Sequence, residues 1–160
     1  VDEIVLLEGL GVAGDAHSGA TVQHLSRVRR NPTEPNLRQV HLIHGELFDD
    51  LVAKGYDVTP GCFGENVTTR GVDLLGLSTG TVLRLGDDVA GTITGLRIPC
   101  VQIDRYEQGL LKEVLRPQPD GGVERLAGIM GVVSVGGTVR PGDPIVVVPP
   151  GGPHVPLETV

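Results

Sequence analysis

The segment VAGTITGLRIPC, residues 89–100, joins a predicted strand to a candidate reactive thiol. Residues 89–94 are apolar or alternate in polarity, which is typical of a strand. Pro99 restricts its own backbone and that of the preceding residue, so Cys100 lies at the end of a stiffened strand. Arg97 adds a positive charge, which favours the thiolate over the thiol. A thiolate can act as a nucleophile, a persulfide carrier or a ligand of a soft metal.

Cys100 also has a simpler, structural interpretation. Free cysteines are among the most buried residue types and usually pack as small hydrophobic side chains. Residues 89–100 alone therefore leave a functional thiol and a core cysteine both open.

Short apolar or alternating segments recur along the chain and predict a mainly β structure. The predicted strands are residues 3–8, 38–43, 63–69, 80–85, 89–94, 129–135 and 145–148, and the predicted helices are residues 47–55 and 104–116. The 24 Gly and 12 Pro residues mark many tight turns between these segments. Closely spaced short strands favour a closed or nearly closed β-barrel with a few short helices.

The predicted domain organisation is simple. Residues 1–148 form one domain, which suits a chain of 160 residues. Residues 149–160 are rich in Pro and Gly and are predicted to be a loose tail. Residues 21–37 lack periodicity and are predicted to be a long loop, a feature that is often functional. Because the chain starts with Val, we expect that Val1 is not the natural first residue.

The composition excludes several function classes. The net charge is −7 and aromatic residues make up only 2% of the chain, so neither phosphate-backbone attraction nor base stacking supports a nucleic-acid polymer as partner. No apolar run approaches the length of a membrane helix, about 20 residues. Two cysteines do not make a disulfide framework, so we expect a reducing, cytoplasmic location.

Positive charge is concentrated in residues 17–44 of this acidic chain. The segment holds four of the 13 Lys and Arg residues, a single acidic residue and four of the five histidines. A local basic patch indicates a small anionic ligand such as a phosphate, although a solvated basic surface has the same composition. His41 and His44 do not make a zinc site, because residues three apart on a strand face opposite ways.

The glycine-rich segment GLGVAG, residues 9–14, has the spacing of a dinucleotide-binding loop. That motif requires a helix to begin at its last glycine, whereas this chain continues with another glycine and β-branched residues. The glycines more simply allow a tight backbone excursion that positions Asp15 and His17.

Four blocks of sequence closely resemble the MOSC domain family, which is named after the C-terminal domain of molybdenum-cofactor sulfurases. They are GLGVAGDAHSG at residues 9–19, PGCFGENVTT at residues 60–69, RIPC at residues 97–100 and GGTVRPGD at residues 136–143. Their order and spacing match the family over nearly the whole chain. The resemblance implies a β-barrel of mixed strands with small helices.

The resemblance also implies a function. MOSC proteins are linked to the molybdenum cofactor, a pterin that carries a phosphate and a dithiolene, and the cysteine at the position of Cys100 ligates the metal or carries sulfur. Residues 39–44 and 70–74 are similar to a stand-alone subgroup associated with protection against N-hydroxylated base analogues. The implied activity is reduction of an N-hydroxyl group to an amine, with electrons from a donor protein. A homodimer is left open.

The matching blocks carry the candidate site. Cys100 is the candidate catalytic residue and metal ligand, and the candidate cofactor-binding residues are Asp15, His17, Arg27, Gly64, Glu65, Asn66 and Arg97. Paired arginines suit an anionic group, and an amide suits a planar heterocycle. The alternative is structural, because Asp and Asn side chains often satisfy turn backbones.

Two further functions stay open at this stage, namely a persulfide carrier that delivers sulfur to metal–sulfur centres and a non-catalytic module that holds the cofactor. Cys62 stands where the family pattern leads us to expect a residue without a thiol. No cation neighbours it in sequence, so we expect it to be a mostly inert, buried cysteine, the alternative being a resolving thiol if the fold brings it close to Cys100.

Overall fold

The computed structural model describes the backbone of residues 1–160 and every side chain except that of Ser26. Its described elements are eleven short strands and four short helices. The strands are β1 (Ile4–Leu7), β2 (Gly11–Val12), β3 (Val40–His44), β4 (Val67–Thr69), β5 (Val82–Leu85), β6 (Val89–Leu96), β7 (Leu115–Pro117), β8 (Val123–Arg125), β9 (Ile129–Val135), β10 (Gly137–Val139) and β11 (Ile145–Val148). The helices are α1 (Leu25–Arg30), α2 (Glu46–Ala53), α3 (Gln102–Tyr106) and α4 (Leu110–Val114).

The strands form one large curled sheet and two smaller ones. The six-stranded sheet has the order β11-β5-β6-β9-β3-β4 and curls into a half-barrel. Its β3 and β4 are parallel, whereas its other neighbouring pairs are antiparallel. A three-stranded sheet, β10-β1-β2, and the hairpin β7-β8 complete the set. The predicted mainly β architecture of mixed strands with few helices is confirmed.

Two hydrophobic clusters lie on opposite faces of β3. One lies within the curled sheet and includes Leu42 together with Ile93 of β6. The other packs the short helices against the sheet and includes Ile43 and Phe63. β3 is buried on both faces, which suits its three apolar residues. His41 is also buried in this strand, and its ring Nε2 lies 2.7 Å from Ala127 O. Among the described residues, no helix has the length and apolar character needed to cross a membrane.

The strand predicted at residues 63–69 is half as long as expected. Only Val67–Thr69 pair as β4, and residues 60–66 form turns. Gly61 and Gly64 have φ values of 101° and 74°, which other residues rarely adopt and which a regular strand does not allow. Turns that contain these two glycines therefore replace the first half of the predicted strand.

The helix predicted at residues 104–116 is two helices and the start of a strand. Gly109, at φ 89°, separates α3 from α4, and the last residues become β7. The predicted long loop at residues 21–37 contains the short helix α1, which carries three of the chain's arginines. Its apolar residues are too few to produce a visible helical period.

Residues 155–160, placed in the loose tail by the sequence analysis, make specific contacts with the sheet. The backbone N–H of Leu96 donates to Glu158 O at 2.7 Å, and that of Thr79 donates to Val155 O at 2.8 Å. Leu157 is 9% exposed and packs in the first hydrophobic cluster. The end of β6, which leads to Cys100, is thus bordered by the C-terminal segment.

Candidate functional site

Residues 97–100 leave β6 and pass between two loops of the chain. The backbone N–H of Arg97 donates to Gly128 O at 3.0 Å, and its Nη2 donates to Phe63 O, also at 3.0 Å. The guanidinium therefore ties the end of β6 to the turn at residues 60–66. Cys100 follows three residues later and is exposed, with its Sγ 3.7 Å from Gln102 Oε1. The core interpretation of Cys100 does not fit this exposed position.

Arg97 is a half-buried cation with unused hydrogen-bonding capacity. Burial lowers its pKa, and the charges of Cys100 and Glu65 act in the opposite direction, which places all three groups within electrostatic range of one another. The Nη1 group of Arg97 is buried and has no hydrogen-bond partner among the described residues. A buried, unpaired N–H group on a cation is suited to bind an anion.

Arg38 is also a partly buried cation with unused hydrogen-bond donors, and it is not one of the site residues predicted from the sequence. Its Nε and Nη2 groups are buried without a hydrogen-bond partner among the described residues. Burial, together with the positive charges of Arg27 and Arg97, lowers its pKa to about 10. Arg38 is therefore close enough to both other arginines to feel their charges. The only signal in the sequence was its membership of the basic segment at residues 17–44.

Arg27 completes this arginine cluster, defined here as Arg27, Arg38 and Arg97. Its Nη1 donates to Glu34 Oε1 at 3.0 Å, and Arg30 lies 3.7 Å from the other oxygen of the same carboxylate. One of the three cations is thus already paired, while the other two retain free donors. The cluster keeps a positive charge in spite of Glu34.

Asp15 and His17 lie at the other end of the site, on the loop that follows β2. Asp15 Oδ1 accepts a hydrogen bond from the His17 backbone N–H at 2.6 Å and lies 3.1 Å from His17 Nδ1. Asp15 Oδ2 accepts from Asn66 Nδ2 at 2.8 Å, which joins the loop to the start of β4. Asn36 also holds this loop, because its Nδ2 donates to His17 O and to Gly19 O, both at 2.9 Å.

The electrostatics of Asp15 follow from these bonds. Burial raises its pKa, but hydrogen bonds from the His17 backbone, Asn66 and the His17 ring together outweigh burial, so its pKa lies below the ordinary value. Asp15 is therefore a carboxylate at neutral pH. Its two oxygens hold two different parts of the chain in place.

Glu65 and Gly64 belong to the turn that receives Arg97. The Glu65 carboxylate accepts hydrogen bonds from the backbone N–H groups of Gly61 and Phe63 and from the Thr68 hydroxyl. These bonds give Glu65 a structural role, because they fix the turn whose Phe63 carbonyl oxygen holds Arg97. Gly64 contributes the left-handed backbone of the same turn.

His41 connects the two ends of the site. Its backbone N–H donates to Asn66 Oδ1 at 2.9 Å, and its ring Nε2 lies 2.7 Å from Ala127 O. Burial lowers its pKa to about 4, and the charges of Arg97 and His17 act in the same direction. The His41 ring is thus neutral at pH 7. Both Arg97 and His17 are near enough to influence it.

The two cysteines differ in environment. Cys62 is half-buried in the second hydrophobic cluster, and burial raises its pKa to about 11, with the charge of Glu65 acting in the same direction. Cys100 is exposed. Among the described residues, no group of three or more His, Cys, Asp or Glu side chains is arranged to hold a metal ion. A metal bound at Cys100 would therefore need ligands that the protein does not supply.

A cleft of about 370 Å³ lies on the other side of the turn at residues 60–68. It opens between β1, β4, β10 and β11, and its lining includes Asn66 and Thr68 but not Cys100. The arginine cluster and Cys100 are not part of the lining of this cleft.

Solved structures resemble this chain over most of its length. YuaD from Bacillus subtilis is 25% identical with a TM-score of 0.70, and the match covers 92% of this chain and 85% of that protein. YiiM from Escherichia coli is 21% identical with a TM-score of 0.63, over 97% of this chain and 67% of that protein. YiiM from Geobacillus stearothermophilus is 24% identical with a TM-score of 0.61, over 74% and 58%. The two YiiM likenesses show the fold alone.

Comparison with curated protein sequences found no significant match. The model of the MOSC domain family, in contrast, matches residues 21–146, which include the arginine cluster, the turn at residues 60–66 and Cys100. This match spans well over half of the chain. The fold of the chain also agrees with that of the solved structures. The chain belongs to the MOSC domain family.

Proposed function

We propose that this protein binds the molybdenum cofactor at Cys100 and the arginine cluster, and that it reduces N-hydroxylated bases or related compounds. One observation carries the proposal, which is that buried N–H groups of Arg38 and Arg97 lack partners close to an exposed thiol. Such donors are costly to keep unless an anion uses them.

The residues present fit the cofactor in chemical type. A phosphate is an anion with several acceptor oxygens, and planar guanidinium groups bind it through paired N–H donors. A thiolate is a ligand that molybdenum, bound through the sulfur atoms of a dithiolene, readily accepts. The cofactor brings its own sulfur ligands, which agrees with a protein site that offers one cysteine rather than a cluster of ligands.

Each group of residues then has a defined task. Arg38 and Arg97 hold the phosphate, and Arg27 adds charge while paired with Glu34. Cys100 ligates the metal. Glu65 and Gly64 act indirectly, by fixing the turn that orients Arg97. Asn66 and Asp15 hold the loop after β2 against this turn.

When bound, the cofactor would supply a redox centre that passes electrons to the substrate in pairs. The electrons would come from a donor protein, and the net charge of −7 makes a nucleic-acid polymer an unsuitable partner. A cytoplasmic location, where the donor and free bases occur together, is part of the same proposal.

The exposed position of Cys100 favours one alternative, a persulfide carrier. Sulfur transfer requires the thiol to reach a second protein, which an exposed cysteine permits. The alternative leaves the buried donors of Arg38 and Arg97 without a role, so it ranks second.

The test is the metal and pterin content of protein purified without oxygen from cells that make the cofactor. We expect about one molybdenum and one pterin per chain, with both reduced at least tenfold in Cys100→Ser and in Arg97→Ala, since a charge-assisted bond is worth about 1.5–3 kcal/mol. Cys62→Ser is the matched control and should retain both. Labile sulfur on Cys100 without molybdenum would support the carrier instead, and full occupancy in Cys100→Ser would exclude metal ligation by this thiol.

A further inference from the structure

We propose that His17 is the proton donor of this site and that Asp15 positions it. The inference rests on the proposed function, because it concerns the protons consumed when an N-hydroxyl group is reduced. His17 was expected to bind the cofactor, whereas its hydrogen bonds suit a group that exchanges a proton with the substrate.

The geometry fixes the ring and leaves one nitrogen available. With Asp15 Oδ1 at 3.1 Å, the His17 Nδ1 is engaged as a donor to a carboxylate, which leaves Nε2 to exchange a proton. Asp15 is itself held by Asn66 at 2.8 Å, and the His17 carbonyl oxygen is held by Asn36 at 2.9 Å. A histidine oriented by a carboxylate is the usual arrangement for general acid–base catalysis.

A purely structural role explains this arrangement poorly. The His17 side chain is 64% exposed, so it buries little surface, and an exposed ion pair contributes about 0–1 kcal/mol to stability. The turn needs only the bond from the His17 backbone to Asp15, which any residue at position 17 would make. The ring itself is therefore ordered without an evident gain in stability.

His17 also lies near the rest of the site. The charges of His17 and Arg97 both act on the ring of His41, and the backbone of His41 is bonded to the same Asn66 that holds Asp15. Among titratable groups, Asp15 from its own loop is bonded to the His17 ring, and His41 of β3 is near enough to feel the charge of His17. His41 is buried and neutral at pH 7, so His17 is the histidine of the pair that can reach a ligand.

The reaction requires two protons and two electrons. An N-hydroxyl compound, R–NH–OH, takes up both to give R–NH2 and water, and the N–O bond breaks. The electrons come from the external donor of the proposed function. When the two electrons enter and the N–O bond breaks, the oxygen takes one proton and leaves as water, and the nitrogen takes the other proton from solvent to give the amine. We assign the proton on the departing oxygen to His17 Nε2. The imidazole is then reprotonated from solvent, to which it is exposed.

The first test uses metal-free, 15N-labelled protein and does not depend on activity. Long-range nitrogen–proton correlations should show neutral His17 with its proton on Nδ1. In Asp15→Asn this preference should be lost, because an amide has one acceptor oxygen for the three donors that Asp15 now serves, namely the His17 backbone N–H, the His17 ring and Asn66. A mixture of tautomers in the unsubstituted protein would overturn the positioning role.

The second test measures reduction of N6-hydroxyladenine by cofactor-loaded protein with dithionite as electron source. His17→Ala and His17→Gln should lower kcat by about 10²–10⁴-fold and leave the molybdenum content unchanged. In both variants the rate should also lack the decrease at rising pH that a protonated donor produces. Added imidazole should restore activity to His17→Ala. His154→Ala, which removes another exposed histidine, should behave as the unsubstituted protein.

The outcomes separate the two proposals. If the unsubstituted, loaded protein does not reduce the substrate, the proposed function and this inference both fail. If it does, and either His17 variant keeps full activity, this inference alone fails. Loss of activity together with lost molybdenum and no rescue by imidazole would show that His17 binds the cofactor, which also overturns the assignment.

Discussion

Arg38 illustrates how a residue can be adapted for binding at the expense of stability. Two of its buried N–H groups lack partners, and its charge is close to those of Arg27 and Arg97. An unpaired buried donor costs about 1–3 kcal/mol, and nearby like charges add to the cost. An anion bound at these donors, as proposed above, would offset this cost.

We therefore expect Arg38→Met to be more stable than the unsubstituted protein by about 1 kcal/mol in buffer without phosphate. Inorganic phosphate should raise the unfolding free energy of the unsubstituted protein in proportion to the logarithm of its concentration, and it should do so much less in the variant. Chemical denaturation with and without phosphate measures both effects. Arg84→Met, which removes an exposed arginine of β5, is the control and should leave the phosphate response intact. An equal response in Arg38→Met would show that this residue does not bind anions.

The two thiols should differ in reactivity. Burial and the charge of Glu65 raise the pKa of Cys62 to about 11, so its thiolate is scarce near neutral pH, whereas Cys100 is exposed beside Arg97. We expect iodoacetamide to label Cys100 much faster than Cys62 in metal-free protein at pH 8. Mass spectrometry of each labelled peptide gives the two rates, and Cys62→Ser should leave the Cys100 rate unchanged. Faster labelling of Cys62 would contradict this assignment.

The sequence could nominate some residues of the candidate site and not others, for a physical reason. Cys100 and Arg97 could be nominated because proline, arginine and cysteine are local neighbours. Arg38 could not, because a missing hydrogen-bond partner is a property of the folded structure. The bonds that Glu65 accepts from Gly61 and Phe63 depend on a folded turn that includes residues 63–66, where the sequence predicts a strand.

Among the elements, regular strands were easier to predict than turns. Buried and partly exposed residues alternate along all eight positions of β6, so the period of two that is typical of a strand was visible in the sequence. The strand predicted at residues 63–69 forms only from Val67, because Gly64 adopts a left-handed backbone conformation. Short strands such as β2 and β10 carry too few residues for any period to appear.

The C-terminal segment provides a direct test at this level. The sequence predicts a loose tail from residue 149, whereas Leu157 packs in the core and Glu158 O accepts from the end of β6. If this packing holds in solution, Leu157→Ala should lower the unfolding free energy by about 2 kcal/mol or more. Val155→Ala removes a side chain that is 52% exposed and should change it by less than about 0.5 kcal/mol. Equal, small effects of both substitutions would support the loose tail.

The complete fold brings together loops that are distant in sequence. The mainly β class followed from the closely spaced turn signals, and the family followed from four blocks in order. The bonds that assemble the site are long-range, however, since Asn66 reaches Asp15 and Arg97 reaches Phe63. No local pattern in the sequence specifies such pairs, which is why the resemblance rather than the periodicity brought these residues into one site.

His41 lies where these loops meet, and its burial should make the stability of the entire domain depend on pH. Its pKa is about 4 in the folded protein, mainly because of burial, against about 6.5 for an unfolded chain. Between these values the unfolded state binds more protons, so the unfolding free energy falls as the pH falls from about 6.5 to 4. The shift corresponds to a loss of about 3 kcal/mol, and the lowered pKa of His44 adds a loss of the same sign.

Urea denaturation at a series of pH values from 4 to 7.5 tests this expectation. His41→Gln keeps a donor for Ala127 O but cannot be charged, so its unfolding free energy should depend much less on pH, whatever its value at pH 7.5. His154→Gln, on the exposed C-terminal segment, should keep the slope of the unsubstituted protein. Carboxylates with lowered pKa values, such as Asp15, begin to lose their contribution only below about pH 5, so they do not account for a slope between about pH 5 and 6.5. If His41→Gln and the unsubstituted protein have the same slope, the neutral buried imidazole is not what couples the stability of this domain to pH.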